Sequence, residues 1–349
     1  MIRETHGPFV PGVNYPWTRF QGKNNYGCDF GRNVWGGHGG VSRNREQVDA
    51  DFAAMAAAGA RVARWFVFTD GRGGARWTLD GTLEGYADHF FDDMDAALEV
   101  AAAHGVQLCL VLFDHLWMFT SEVRDGAGVV IFKTHPELFM SASGRNAVLE
   151  RLIDPLIARY GTGGAREDLG AWIHSFDVMN EPDWATAELE PSRDPKKLAR
   201  PMALADLREL VRGVADRVHE RTRSLVTVGG GRARFASEWD DDAYGLDYLQ
   251  VHLYLDTRRL ASDLDLRTTP YEALRLRKPL IIGEFPANGH FSHPEAFAPP
   301  TCSMEEYLDY ARRGGYLGAW PWSFSGIDAF GAVSGAALAA WVGRCLPAA

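Results

Sequence analysis

Ile173-His174-Ser175-Phe176-Asp177-Val178-Met179-Asn180-Glu181-Pro182 runs from an apolar stretch into a carboxylate and then into a proline. Ile173–Val178 reads as a buried strand, and Pro182, which has no N–H for a sheet ladder, turns the chain into a loop. A carboxyl group is thereby held at a strand end. Leu280-Ile281-Ile282-Gly283-Glu284-Phe285 repeats the arrangement far along the chain. Two buried strands that each end in a glutamate suit a parallel sheet whose C-terminal edge carries the chemistry.

Working outward, short apolar runs alternate with amphipathic stretches over the whole length, the rhythm of repeated βα units. Eight strands are expected: Phe9–Asn14, Arg61–Phe66, Gln107–Leu112, Ile173–Val178, Leu225–Val228, Tyr248–His252, Leu280–Gly283 and Leu317–Pro321. Helices are expected at Gln47–Ala58, His89–His104, Asn146–Tyr160, Met202–Thr222, Tyr271–Leu276, Met304–Arg313 and Ala336–Cys345. Gly59, Gly105, Gly161 and Gly314 stand where left-handed helix caps would end four of them. The expected fold class is α/β, a (β/α)8 TIM barrel formed by residues 1–349 as one catalytic domain. Long loops at Trp17–Arg43, Asp114–Arg145, Glu181–Arg200 and Phe285–Cys302 would wall its C-terminal face.

A net charge of −10 over 349 residues argues against nucleic acid or an anionic membrane surface as the main partner. The 11 Trp, 11 Tyr and 19 Phe exceed what a core requires and offer flat faces to a neutral ligand such as a sugar. Cys28, Cys109, Cys302 and Cys345 are widely spaced and form no CxxC pair, so reduced thiols are expected. Met1–Val10 is polar, without the apolar stretch of a signal peptide. The expected location is cytoplasmic, or secreted if a leader has been removed. Oligomeric state is left open.

The two strand-end glutamates match what glycosidic cleavage needs, one carboxyl to protonate the leaving oxygen and another to attack the anomeric carbon. With Asn180-Glu181-Pro182 and Glu284 in place, the sequence resembles clan A of the glycoside hydrolases, and within it the cellulase-like family 5, over nearly the whole chain. The resemblance implies a retaining β-glycoside hydrolase with Glu181 as acid/base and Glu284 as nucleophile, needing neither cofactor nor metal. It implies an oligosaccharide or glycan substrate of β-mannoside or β-glucoside type. It carries over Arg64, in Val62-Ala63-Arg64-Trp65, as the partner that keeps the nucleophile ionised, and a charge inside an apolar strand independently demands a partner. It carries over His115 beside the cleavage point, Asn180 on the sugar 2-hydroxyl, His252 with Tyr254, whose hydroxyl bonds the nucleophile, and Trp322 as the floor beneath the reacting sugar. Trp320 reads as core.

Double displacement requires Glu181 protonated at the first step, hence a carboxyl raised relative to Glu284. Asn14, Tyr15, Trp17, Trp35, Asp70, Trp117 and Trp184 are further candidates for the cleft walls. The loop from Asn14 through Trp35 and His38, and Phe68–Arg72, match no subfamily pattern, which leaves the sugar open. Asp240-Asp241-Asp242 reads as a solvated loop, with calcium as the alternative. Two rival readings stand beside the hydrolase: a metal-dependent TIM-barrel hydrolase or isomerase using His115, Glu181, His252 and Glu284 as ligands, and a non-catalytic carbohydrate-binding barrel.

Overall fold

The computed structural model describes residues 8–78, 80–254, 263–287, 302–328 and 330–346. Eight parallel strands close into a barrel: β1 Val10–Asn14, β2 Val62–Phe66, β3 Gln107–Asp114, β4 Ile173–Asn180, β5 Leu225–Gly230, β6 Leu249–His252, β7 Leu280–Pro286 and β8 Gly318–Trp322. Each strand pairs with the next in sequence, and β8 closes on β1 through Val10 opposite Gly318. All eight expected strands are present.

Their ends differ from the expectation in one direction. β3, β4 and β7 run past the last apolar residue of the sequence pattern, to Asp114, Asn180 and Pro286. The polar side chains there find hydrogen-bond partners on neighbouring strands, so the ladder continues without the cost of burying unpaired groups.

Helices Arg45–Ala57, Phe90–His104, Leu204–Arg221, Met304–Arg313 and Gly335–Cys345 pack outside the strands. The helix expected at Asn146–Tyr160 begins earlier and is interrupted: Ala142–Val148 passes through a π turn at Leu149–Ile153 into Asp154–Tyr160. Pro155 accounts for the break, since it has no N–H to donate to the carbonyl of Arg151. Gly59 and Gly105 adopt the left-handed conformation (φ 82° and 66°). Gly161 and Gly314 do not, and past Met304–Arg313 it is Gly315 that turns left-handed. Among the described residues no helix is long and apolar enough to cross a membrane.

The main core lies between barrel and helices. Val62, Cys109, Tyr248, Ile281 and Trp320 form a separate cluster inside the barrel. A Cβ on Gly12 would stand 2.6 Å from the Trp320 ring, so that glycine makes room for the indole. Trp320 is core, as read. Near the mouth Trp17, Phe66, Val111 and Trp322 make a smaller aromatic cluster. The loops after β1, β2 and β3 carry small hairpins, Arg19–Phe20 with Lys23–Asn24, Ala75–Trp77 with Leu83–Tyr86, and Glu122–Arg124 with Val130–Lys133. The one after β2 had no counterpart in the expected long loops, and residues 288–301 of the expected fourth loop lie outside the described residues.

Candidate active site

Register assembles the site. Asn14 stands opposite Arg64, Asn180 opposite Asp114, and His252 opposite Glu284. Inward side chains at the C-terminal strand ends therefore converge on one cavity of about 270 Å³, whose lining includes Trp17, His115, Asn180, Glu181, Tyr254, Glu284 and Trp322.

Arg64 is fully buried and is the hub beneath this cavity. Its Nη1 donates to Glu284 Oε1 (2.5 Å) and Asn14 Oδ1 (3.1 Å), Nη2 to Asn180 Oδ1 (2.7 Å) and Asp177 Oδ2 (2.8 Å), and Nε to Asp177 Oδ2 (3.0 Å). The planar guanidinium fixes several acceptors at once, which a point charge on a flexible stem would not do. Burial opposes its charge, but Asp177 and then Glu284 keep it firmly protonated.

Glu284 accepts from Arg64 through Oε1 and from the Tyr254 hydroxyl through Oε2 (2.7 Å). Burial raises its carboxyl above the ordinary value, against the pull of His252 and Arg64. Burial, followed by the charge of Glu284, raises the Tyr254 hydroxyl well above its usual range, so it stays a donor.

Glu181 is the first residue past β4 and takes the left-handed conformation (φ 46°), a state that costs a residue with a Cβ about 1–2 kcal/mol. Its N–H is held by the Gly229 carbonyl (2.6 Å). His252 Nδ1 lies 3.0 Å from Oε1, and Trp184 Nε1 donates to Oε2 (3.0 Å). One oxygen of Glu181, one of Glu284 and a His252 nitrogen lie within 4.8 Å of one another. That is close to the roughly 5 Å carboxyl spacing of retaining glycosidases.

The proton expectation for Glu181 needs correction. Burial pushes its carboxyl up, but the hydrogen bond and charge of His252, then His115 and Arg232, bring it down to about 2. Without substrate the order of Glu181 and Glu284 is thus the reverse of the one expected. The cause is the imidazole of His252, whose Nδ1 lies against the Glu181 carboxyl.

The other expected positions divide. His115 opens the turn after β3, lines the cavity and stands 3.1 Å from Asp114 Oδ1. Asn180 donates to Asp114 Oδ2 (2.7 Å) and also borders the cavity. Trp322 lines it with its Nε1 on Asp328 Oδ2 (2.7 Å), and Trp17 and Trp184 line it too. Asn14 does not reach it; its amide donates to the Gly283 and Trp320 carbonyls (2.8 and 3.0 Å) from below. Tyr15 and Trp117 are core, and Asp70 is buried against Arg72. Trp35 is half exposed outside the cavity. Asp240 accepts from the Arg277 and Lys278 N–H groups (2.7 and 3.0 Å), Asp242 pairs with the Lys278 ammonium (2.6 Å), and Asp241 accepts from the Ala243 N–H (2.9 Å), so this run pins a neighbouring segment.

The cavity residues Tyr26, Phe66, Asp328 and Phe330 were missed, and so were Asp177, Asp114 and Arg232. Asp177 is the second carboxylate on Arg64 and also accepts from Gln250 (2.7 Å); an aspartate inside an apolar strand was the available signal. Asp114 orients Asn180. Arg232 lies over the Trp184 ring (4.4 Å) and borders the cavity, with nothing in its glycine-rich surroundings to announce it.

The cluster of Glu181, His252 and Glu284 also bears on the metal reading. His115, the fourth ligand that reading needs, is not part of it. Glu284 Oε1 already holds a permanent cation, Arg64, and His252 Nδ1 is hydrogen-bonded to Glu181. These ligand atoms are already engaged by hydrogen bonds and a permanent cation, which suits the set poorly to a divalent ion.

No profile of a known protein family matches the chain. The mannan endo-1,4-beta-mannosidase of Mytilus edulis is 24% identical over 359 aligned positions, covering 93% of this chain and 85% of that protein. Among solved structures, the endo-1,4-beta-mannanase of Eisenia fetida superposes with a TM-score of 0.69 at 20% identity, over 97% of this chain and 91% of that one. The beta-1,4-D-mannanase of Cryptopygus antarcticus does so with a TM-score of 0.68 at 19% identity, over 96% and 89%. Barrel, relatives and strand-end motifs agree with the resemblance to clan A of the glycoside hydrolases and its cellulase-like family 5.

Proposed function

We propose that the chain cleaves β-1,4-linked mannan-type glycans by double displacement, with Glu284 as nucleophile and Glu181 as acid/base. The observation that carries this reading is the pair of strand-end carboxyls within 4.8 Å across one cavity, the one on Glu284 held by Arg64 and Tyr254. In the first step Glu284 attacks the anomeric carbon while Glu181 gives its proton to the glycosidic oxygen. The glycosidic oxygen displaces one of the two partners that Glu181 holds in the free enzyme. In the second step Glu181 takes a proton from water, which releases the sugar with its configuration retained. Asn180, held at both ends by Arg64 and Asp114, is set to meet the 2-hydroxyl, and Trp322 underlies the ring. The mannan preference rests on the names of the relatives.

Glu284→Ala is expected to lower kcat on a β-mannan at least about a thousandfold. Glu181→Ala should lose far more on mannan than on an aryl β-mannoside whose leaving group needs no proton. Proton NMR of the first product should show the β anomer. Near-normal turnover by Glu284→Ala, or α product, contradicts the assignment.

A further inference from the structure

Trp35 is the one aromatic among the large hydrophobic side chains that stand exposed in the described residues, at 49% of its surface. It is not on a loose loop. Asn33 Oδ1 accepts from the Trp35 and Gly37 N–H groups (3.1 and 3.0 Å), Asn33 N–H and the Gly37 carbonyl close the turn (2.9 Å), and Val34 N–H bonds the Arg72 carbonyl (2.9 Å). A turn pinned by this many bonds holds a large apolar ring toward water, where burial would have been favourable. A lone exposed ring is ordinary; what singles this one out is its fixed place at the end of a row of aromatic contacts.

Contacts link the ring to the cavity. Trp322 lies 6.2 Å from Trp17, Trp17 lies 4.3 Å from Tyr26, and the Arg72 guanidinium sits 4.7 Å from the Tyr26 ring and 5.9 Å from that of Trp35. Arg72 is itself fixed, its Nε 2.9 Å from both oxygens of buried Asp70. The Phe68–Arg72 segment, which fits no subfamily pattern, thus supports the row of flat groups leading out of the catalytic cavity. Sugar rings stack on such groups, and a neutral chain of them needs no countercharge.

We propose that Trp35 is an outer platform for the substrate, a subsite that stacks a sugar of a β-linked glycan several units from the bond being cleaved. This rests on the β-glycanase reading above. It makes the enzyme selective for chain length, because only a substrate long enough to reach the ring gains the stack.

The test compares wild type and Trp35→Ala on β-1,4-linked manno- and gluco-oligosaccharides from three to six units. The ratio of kcat/KM for the hexasaccharide to that for the trisaccharide is expected to fall about fivefold in Trp35→Ala and to recover in part in Trp35→Phe. Isothermal titration of mannohexaose into Glu284→Ala and into Glu284→Ala/Trp35→Ala should show Kd weakening by a similar factor. An unchanged ratio with unchanged Kd overturns the platform alone. A wild-type enzyme that cleaves neither series contradicts the β-glycanase reading and the platform with it.

Discussion

Glu284 is pulled two ways, by burial toward the neutral acid and by Arg64 and Tyr254 toward the carboxylate, and burial leaves it above the ordinary value. The sign for activity follows. A nucleophile must be ionised, so kcat/KM falls as pH drops through this raised pKa. The Tyr254 hydroxyl favours the charged form, and removing it raises the carboxyl further. Tyr254→Phe should move the acid limb of the pH profile about one unit to higher pH; an unmoved limb would mean that the tyrosine does not tune this group. The contact of His252 with Glu181 was beyond the sequence, because it depends on a 3.0 Å approach of side chains from just past β4 and from β6.

At the level of strands, the catalytic edge depends on glycines as much as on carboxylates. Gly283 immediately precedes Glu284, and a Cβ there would collide with the Gln250 side chain. Gln250 cannot easily retreat, since its Nε2 is bonded to Asp177. Gly283→Ala should therefore lower unfolding stability by about 1–3 kcal/mol in urea titrations; a variant as stable as wild type would show that β6 and β7 yield where the packing is drawn tight. Strand centres were legible because buried parallel strands are continuous apolar runs. Strand ends were not, because Asp114, Asn180 and Glu284 are polar residues made tolerable in a ladder by partners on other strands. The same reasoning explains Asp177. One buried arginine was assigned one carboxylate, whereas it binds two.

For the molecule as a whole, eight strands around one cavity bring Glu181 and Glu284 together from distant parts of the chain. The barrel and the contacts of Arg64 and Tyr254 with Glu284 could be read from the residues and the resemblance they carry. Which aromatic side chains face the cavity could not, since that depends on loop paths: Trp17 and Trp184 reach it, Trp117 is core, and Trp35 stands outside on its pinned turn. The charge of −10 is spread over the molecule and gives a neutral glycan nothing to resist. The covalent step is probed most directly by a 2-deoxy-2-fluoro mannosyl fluoride, which forms the glycosyl-enzyme faster than water can release it. Mass spectrometry of the peptides from inactivated protein should find one fluorosugar on Glu284; stoichiometric labelling of any other residue would contradict the assignment of the two carboxylates.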